Sequence, residues 1–185
     1  MMKGFPLQTL FVMVLTAGLS AGSGLCAWAD PTSLAVEVKA TYLDKFGEFV
    51  DWPPAALGAT TDPVRLCVVG DDPFGAVLDQ AVHGQRIGSH PVLLVRLDKV
   101  DRIADCHILF AAGSRQESVA HVLDKVRGAP VLTVTDGVGD PAARGMINFV
   151  QLSNRVRFEI DNASATQAGL TISSKLLSLA IKPEG

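Results

Sequence analysis

The stretch RGMINFVQLSNRVRFEIDNASATQAGLTISSKLLSLA, residues 144–180, contains the patterns that decide the fold. Apolar residues crowd the run 146–152 and alternate with polar residues through 156–160, and the polar pair Ser153-Asn154 lies between the two runs. Two apolar runs on either side of two turn residues are typical of a β-hairpin. We therefore predict an antiparallel hairpin over residues 146–160.

A helical period follows the hairpin. Four apolar residues are spaced by four, four and three positions: Ala168, Ile172, Leu176 and Leu179. This spacing predicts a helix with one apolar face. Ser164 and Gln167 offer a capping box at its start. Gly169 lies inside the predicted helix, where glycine costs roughly 1 kcal/mol relative to alanine, which indicates close packing of the helix on a sheet.

The first residues of the chain have the features of an export signal. Lys3 precedes an apolar run over residues 10–19, and Ala27-Trp28-Ala29 has the small-x-small form that signal peptidase requires. We predict a cleaved signal peptide over residues 1–29 and a single α/β domain over residues 30–185.

The composition predicts a globular protein without affinity for nucleic acid. There are 16 basic and 19 acidic residues, and the net charge of −3 does not attract a polyanion. The chain is 48% hydrophobic and 19% charged, which favours a packed core over disorder. After the predicted signal peptide no apolar run approaches a membrane-spanning length. The mature protein is therefore not expected to be embedded in a membrane.

An amphipathic helix is predicted over residues 34–50. Its apolar side chains share one helical face: Ala35, Val38, Tyr42, Phe46 and Phe49. Trp52-Pro53-Pro54 ends the helix, because proline disfavours the helical conformation of the residue before it. The apolar face is expected to pack in the core.

Four short, apolar, β-branched runs lie between these two regions: 64–70, 92–97, 107–112 and 131–135. Such runs are typical of parallel strands that are buried on both faces. Helices are predicted at 74–82, with Asp72 as cap and Pro73 as first residue, at 117–127 and, weakly, at 99–104. The predicted fold class is α/β, with a mostly parallel central sheet in the order 2-1-3-4, helices on both faces, and a closing antiparallel hairpin and final helix.

The carboxyl ends of the strands, where such sheets bind ligands, offer two patterns. Gly70-Asp71-Asp72-Pro73 follows the first strand and could hold a cation or a hydroxyl-bearing ligand, although paired aspartates before a helix more often cap it. The run GVGDPA at 137–142 is superficially similar to a dinucleotide fingerprint. A strand follows it instead of the helix start that would bind phosphate, so we reject a dinucleotide site.

Patterns for metal binding and nucleophilic catalysis are missing. The four histidines show no metal-ligand spacing: His83, His90, His107 and His121. Ser173-Ser174-Lys175 brings serine and lysine together in the sequence, but no strand-to-helix elbow or oxyanion loop carries the serine. The sequence therefore predicts a protein that is not an enzyme and that uses no catalytic residue, metal or cofactor.

Motifs at both ends of the predicted domain resemble the YfiR family of bacterial periplasmic regulators. TYLDKFGEFVDWP, at 41–53, is similar to the family's aromatic-rich opening helix that Trp-Pro closes. GMINFV, RVRFEI and AGLTISSKLLSLA, at 145–150, 155–160 and 168–180, are similar to its closing signature. The middle of the chain agrees with the family mainly in the order of strands and helices.

The resemblance implies a regulatory function in the periplasm. YfiR-like proteins bind the periplasmic domain of an inner-membrane diguanylate cyclase and hold it inactive, which lowers cyclic di-GMP and limits biofilm growth. An envelope lipoprotein related to OmpA can draw them away. The alternative hypothesis is a small-ligand sensor, which would have a deep pocket at the strand ends. The sequence leaves the oligomeric state open, including a homodimer.

Exposed apolar residues near the start of the mature domain and in the C-terminal hairpin and helix are expected to form the partner surface. The candidates are Tyr42, Phe46, Trp52, Met146, Phe149 and Leu170. Trp52 has two interpretations, because an aromatic ring can anchor an interface but can equally pack beneath its own helix.

Cys67 and Cys106 are predicted to form a disulfide with a structural role. Removal of the signal peptide removes Cys26 and leaves one pair, in a compartment that allows the bond. The two cysteines lie in or next to strands that are neighbours in the 2-1-3-4 order, about 4.8 Å apart. Two buried free thiols are the alternative. The resemblance favours the bond, since family members place a cysteine pair in similar strands.

Overall fold

The computed structural model describes residues 31–99 and 105–182. The predicted signal peptide and Cys26 lie outside these residues, and so does the weak helix predicted at 99–104, apart from its first residue. Within the described part of the chain, no helix is both long enough and apolar enough to cross a membrane.

Helices and strands alternate along the described residues. The helices are α1 (Pro31–Phe46), α2 (Pro54–Leu57), α3 (Ala76–Val82), α4 (Val119–Lys125), α5 (Asn162–Gln167) and α6 (Ser174–Leu179). The strands are β1 (Val50–Asp51), β2 (Val64–Gly70), β3 (Arg86–Ile87), β4 (His90–Leu97), β5 (Ile108–Gly113), β6 (Leu132–Asp136), β7 (Ile147–Leu152), β8 (Arg155–Ile160) and β9 (Thr171–Ile172). Short 3₁₀ turns follow α1 at Gly47–Phe49 and precede β7 at Pro141–Ala143.

Seven of these strands form one sheet in the order β3-β4-β2-β5-β6-β7-β8. Five adjacent strands of this sheet run parallel: β4, β2, β5, β6 and β7. The two edge strands, β3 and β8, are antiparallel to their neighbours. The predicted 2-1-3-4 order of the four central strands is therefore confirmed. The predicted hairpin is also confirmed. Ser153 and Asn154 both have positive φ, 49° and 61°, which is the turn geometry that matches the twist of a hairpin.

The sheet separates two cores of unequal size. Side chains alternate along β2, so that Leu66 and Val68 enter one core while Cys67 and Val69 enter the other. The larger core lies beneath α1, α3, α5 and α6, and we call it the aromatic core after its buried rings: Phe46, Trp52, Phe74, Phe110, Phe149 and Phe158. The smaller core lies beneath α4 and contains both Cys67 and Cys106; we call it the disulfide core. Helices thus cover both faces, as predicted.

The prediction of a single helix after the hairpin is wrong, because the middle of this region is not helical. Asp161 caps α5 by accepting a hydrogen bond from the Ser164 N–H, so Ser164 is not the cap. Gly169 has a φ of +79°, and the Leu170 N–H donates to the Ala165 carbonyl at 2.9 Å, a geometry that ends helices and favours glycine. The chain then forms β9, which pairs with β1, before the final helix α6. Two short helices and a strand place their apolar residues in one core, so the spacing of these residues in the sequence resembles that of a single helix.

The predicted start of the first internal helix is also wrong. α3 begins at Ala76, after Gly75 with a φ of +50°, and not at Pro73. The Asp72 carboxylate accepts a hydrogen bond from the Phe74 N–H at 2.7 Å, so it shapes the turn before the helix instead of capping the helix itself.

Candidate functional site

An aromatic cluster fixes α1 on the sheet. The Phe46 ring centroid lies 5.5 Å from that of Phe149 on β7 and 5.2 Å from that of Phe158 on β8. The Tyr42 ring lies 5.6 Å from the Phe158 ring. These distances are in the range of favourable aromatic pairs. The two motif regions, far apart in the sequence, therefore build one cluster.

The predicted partner residues lie mainly inside the protein. Five of the six are less than a tenth exposed and belong to the aromatic core: Phe46, Trp52, Met146, Phe149 and Leu170. Tyr42 is half-buried. The exposure expected of the five is therefore wrong, because apolar periodicity marks the side of an element that packs inward. Of the two interpretations of Trp52, packing is the observed one. A direct role of these residues in partner binding stays a prediction.

The outer side of α1 carries an apolar surface beside this cluster. Leu34 is 56% exposed, and Val38 and Tyr42 follow it at intervals of four residues and remain partly exposed. Together with Glu37 and Thr41 they line a shallow groove of about 450 Å³. We call Leu34, Val38 and Tyr42 the α1 stripe. The sequence contains its spacing, but spacing alone does not separate the exposed part of an apolar face from the buried part.

An ion pair adds a second attachment of α1 to the sheet. The Lys39 Nζ lies 2.7 and 2.6 Å from the two carboxylate oxygens of Asp136, the last residue of β6. The two side chains are only 15% and 31% exposed, so water screens this pair less than a fully exposed one. The residues are 97 positions apart, and nothing in the sequence links them. The α1 stripe thus lies on a helix that both the aromatic cluster and the Lys39–Asp136 ion pair attach to the sheet.

The C-terminal segment contacts the residues that follow α1. β9 pairs with β1, and the Ser173 N–H donates to the Phe49 carbonyl at 2.9 Å. The Ser173 hydroxyl accepts from the Leu176 N–H at 3.3 Å and so caps α6, while the Lys175 ammonium lies 5.5 Å from the centre of the Phe49 ring. The serine and the lysine that resembled a catalytic pair therefore have structural contacts.

A buried polar network orders the connection between β6 and β7. The Thr135 hydroxyl donates to the Asn148 side-chain oxygen at 2.8 Å, and the Asn148 amide donates to the Val138 carbonyl at 3.3 Å. The Arg144 guanidinium donates to the same carbonyl at 2.8 Å and pairs with Glu159 at 3.2 Å. These polar groups satisfy one another inside the protein, as burial requires. The network therefore stabilises the connection between β6 and β7.

The predicted disulfide is confirmed. Cys67 on β2 and Cys106 just before β5 are bonded, with their Cα atoms 5.9 Å apart. Both side chains are almost completely buried in the disulfide core, at 1% and 4% exposure. The bond joins neighbouring strands and closes a loop of 39 residues, which includes β3, β4 and α3.

Two buried histidines connect the loops at the amino ends of the strands. The His107 Nδ1 accepts from the Arg65 N–H at 3.0 Å, and its Nε2 lies 2.9 Å from the Ala56 carbonyl. Neutral imidazole protonated on Nε2 satisfies both contacts. Burial lowers the pKa of His107, which favours that neutral form. The His90 Nδ1 lies 2.9 Å from the Asp62 carbonyl. The sequence did not indicate these partners.

An open crevice of about 510 Å³ lies at the carboxyl ends of the central strands. Asp71, Asp98, Lys99 and Arg115 line it with charges of both signs, and all four are exposed. Asp72 points elsewhere and pairs with Arg96 at 2.6 Å. Among the described residues, no group of three or more histidine, cysteine, aspartate or glutamate side chains is arranged to hold a metal ion.

The sequence model of the YfiR/HmsC-like family matches residues 36–181. The chain belongs to this family. The match extends from α1 to Ile181, which forms a bridge with β8, and it includes both cysteines, the hairpin and two residues of the α1 stripe. No curated protein matches the chain.

Membership of the YfiR/HmsC-like family points to a periplasmic regulator in diguanylate cyclase signalling. The family is regulatory and not catalytic. A protein of this kind acts through a surface that binds another protein, and the α1 stripe is an exposed apolar surface beside the two family motifs.

Proposed function

We propose that the mature protein binds the periplasmic sensor domain of an inner-membrane diguanylate cyclase and represses the enzyme, which lowers cyclic di-GMP. The family match over residues 36–181 is the observation that carries this proposal. The proposal includes export by a cleaved signal peptide over residues 1–29 and the absence of enzymatic activity in the mature protein. An envelope lipoprotein of the OmpA type is the proposed competitor that releases the cyclase.

The mechanism is a shift between two states of the cyclase. The regulator stabilises the inactive arrangement if it binds that arrangement more tightly than the active one. A difference of about 5.5 kcal/mol in binding free energy changes a 99:1 ratio of active to inactive cyclase into 1:99. Smaller differences give a graded response. No covalent chemistry by the regulator is needed.

The α1 stripe is the surface we assign to this contact. Its apolar side chains stand on a helix that the aromatic cluster and the Lys39–Asp136 pair hold in place, so little order is lost when a partner binds. Glu37 and Thr41 give the groove a polar border. Apolar centres with polar rims are typical of protein interfaces.

A deletion strain tests the proposal. Loss of the gene is expected to raise cyclic di-GMP, and the wild-type gene is expected to restore the lower level. Leu34→Asp should fail to restore it although the protein is exported and folded. Leu152→Asp is the matched control, because Leu152 is 52% exposed at the end of β7 and lies outside the stripe. Unchanged cyclic di-GMP in the deletion strain, with no cyclase captured by the tagged protein, would refute repression.

The crevice at the strand ends supports a second candidate function, a small-ligand sensor. Its position at the carboxyl ends of parallel strands is where open α/β sheets bind ligands. A thermal screen of small zwitterionic and charged metabolites tests this candidate, since a ligand of the folded state raises the melting temperature. Asp71→Asn should remove the shift if the crevice is the site.

A further inference from the structure

The connection between β1 and β2 has little stability of its own. Residues 53–62, which we call the α2 segment, contain the four-residue helix α2, and most of them are exposed. A single helical turn is not stable in water without contacts to other elements. Among the hydrogen bonds of the described residues, only two join the α2 segment to the rest of the protein, and histidine rings make both of them.

The two rings respond differently to a proton. The His90 Nδ1 lies 2.9 Å from the Asp62 carbonyl, and a ring nitrogen that faces a carbonyl donates in the neutral and in the charged ring. The His107 Nε2 donates to the Ala56 carbonyl at 2.9 Å, whereas its Nδ1 accepts from the Arg65 N–H at 3.0 Å. Both nitrogens of a protonated ring are donors, so a proton on His107 turns the Arg65 contact into a repulsion between two N–H groups. His107 is therefore the acid-sensitive attachment.

The surroundings of His107 favour its neutral form. The residue is 8% exposed, and burial is the largest cause that lowers its pKa. The Arg65 guanidinium and the His90 ring lower this pKa further by charge repulsion. The hydrogen bond to the Ala56 carbonyl and the exposed carboxylate of Asp105 act in the opposite direction, and burial outweighs them.

The remaining elements around the ring supply no carboxylate that would compensate a protonated His107. α2 has the sequence Pro-Ala-Ala-Leu and contains no ionisable side chain. The Asp62 carboxylate accepts from the Ala59 N–H at 2.8 Å within the α2 segment itself. On the β6 side, the neighbour is Leu132, whose N–H donates to the His107 carbonyl at 2.8 Å. A protonated ring therefore faces the Arg65 N–H without compensation from α2 or β6.

Trp52 lies directly before the α2 segment and lowers the cost of opening it. The residue is 7% exposed, and its Nε1–H has no hydrogen-bond partner among the described residues. Ala56 and Leu57 of α2 pack against the aromatic core that contains Trp52. A buried donor without a partner raises the free energy of the closed state, and contact with water removes this cost. Movement of α2 away from the sheet is therefore partly offset by hydration of the indole.

We propose that the α2 segment is an acid-sensitive latch, which is closed while the His107 ring is neutral and opens when the ring takes up a proton. In the closed state the ring joins α2 to the start of β2. In the open state α2 leaves the sheet and water reaches Trp52, while His90 still holds the other end of the segment at Asp62. The sheet itself stays folded, because β2 pairs with β4 and β5 independently of this segment.

Hydrogen exchange of the mature protein, measured by NMR from about pH 7.5 to about pH 5, tests the latch. Trp52 is the single tryptophan of residues 30–185, so its indole N–H gives one signal. Opening takes up one proton, so the protection of this indole and of the Arg65 amide, corrected for the intrinsic effect of pH, should fall about tenfold for each pH unit below about 6.5. Both should be protected at least about a hundredfold less than the amide of Leu43, which is completely buried and exchanges through global unfolding.

Two variants assign the pH dependence to one ring. His107→Gln keeps a donor for the Ala56 carbonyl but takes up no proton, so the protection of the Trp52 indole should not change with pH. His83→Gln is the matched control, because His83 is exposed, and it should keep the wild-type slope. The ring signals of wild-type His107 give a measurement that needs no variant, since their titration midpoint should coincide with the pH at which the slope of the indole protection levels off.

Three results overturn the latch. The first is protection of the wild-type Trp52 indole that does not change with pH. The second is an unchanged slope in His107→Gln, or in the wild type a ring titration that does not coincide with the end of the slope. The third is protection of the indole equal to that of the Leu43 amide, which would show global unfolding alone. These measurements involve no cyclase, so they do not depend on the proposed function.

Discussion

The aromatic core and the disulfide core lie on opposite faces of one sheet and are stabilised differently. Rings from α1, β7 and β8 meet in the aromatic core, where Phe46 and Phe149 are almost completely inaccessible to solvent. The disulfide core contains only aliphatic residues and the two cysteines among its described buried members, beneath the seven-residue helix α4. The larger core depends on buried area, whereas the smaller one adds a covalent link.

The positions of the two cores indicate which substitutions should weaken the fold and which should weaken partner binding. The α1 stripe lies outside the aromatic core but depends on it, because the Tyr42 ring belongs to both the stripe and the aromatic cluster. No residue of α1 is among the described members of the disulfide core. The comparison predicts that the two faces contribute separately to stability.

Phe46→Ala should have the largest effect. The ring is 1% exposed and packs against Phe149 and Phe158, so its removal leaves a cavity and should lower the free energy of unfolding by about 3–5 kcal/mol. Urea unfolding measures this change. Leu34→Ala is the control and should alter stability by less than about 0.5 kcal/mol, because Leu34 is mostly exposed. A loss below about 1 kcal/mol for Phe46→Ala would contradict the role of the aromatic core.

Removing the disulfide should have the next largest effect. The bond closes a loop of 39 residues, and the chain-entropy relation gives about 4 kcal/mol for a loop of that length. The double variant Cys67→Ala/Cys106→Ala should lose up to this amount in urea unfolding. Wild-type protein with a reductant should resemble the variant, which should itself be insensitive to the reductant. Equal stability of oxidised and reduced wild-type protein would contradict the prediction.

Combining these variants sharpens the comparison. Phe46 and the cysteine pair lie in separate cores and share no side-chain cluster, so their effects on the free energy of unfolding should add to within about 0.5 kcal/mol. A larger coupling would show that the sheet transmits packing changes from one face to the other. The triple variant measures this coupling directly.

Local patterns in the sequence predicted most of the fold. Ser153-Asn154 between two apolar runs defines the hairpin, and the β-branched runs locate the parallel strands to within two residues. The pairing of β1 with β9 was missed because it joins two-residue strands that are distant in the sequence. Gly169 was assigned to a helix interior because its positive φ is set by the turn into β9, which spacing does not show.

The candidate site was harder to predict than the fold. Phe46 and Phe149 were chosen for their apolar spacing, and that spacing identifies core positions. Leu34 continues that spacing toward the start of α1 but is 56% exposed, so the same spacing includes an exposed position. The Cys67–Cys106 pair was predictable because the predicted removal of Cys26 with the signal peptide leaves two cysteines, next to neighbouring strands, and so one connectivity.

Gly169→Ala should have a smaller effect on the aromatic face. Alanine at a φ of +79° is strained, and its Cβ would lie 3.4 Å from the Pro53 ring, so we expect a loss of about 1–2 kcal/mol in thermal or urea unfolding. Gly139→Ala is the control, because Gly139 has no positive φ and no neighbouring atom within 4 Å of the added methyl. Equal stability of the two variants would show that the turn into β9 adapts to a side chain.

The smallest expected effect is a dependence of stability on pH. Burial lowers the pKa of His107 below its ordinary value of 6.5, so the unfolded chain binds a proton at a higher pH than the folded protein does. The contribution of neutral His107 to the free energy of unfolding is fully present above about pH 6.5. It is lost as the pH falls toward the folded-state pKa of His107.

The free energy of unfolding, measured from about pH 8 to about pH 5, should therefore decrease toward low pH. His107→Gln should reduce the slope, whereas His83→Gln should leave it unchanged because His83 is exposed. An unchanged slope in His107→Gln would assign the pH dependence to other groups.

The central claim is that the α1 stripe binds the sensor domain of a diguanylate cyclase. Titration calorimetry with the mature protein and the purified periplasmic domain of the cyclase that it captures tests this claim most directly. We expect the wild type and Leu152→Asp to bind with the same affinity, and Leu34→Asp to bind at least about tenfold more weakly because it places a charge in the apolar contact. Absence of heat and of complex formation with the wild type, or unchanged affinity for Leu34→Asp, would contradict the claim.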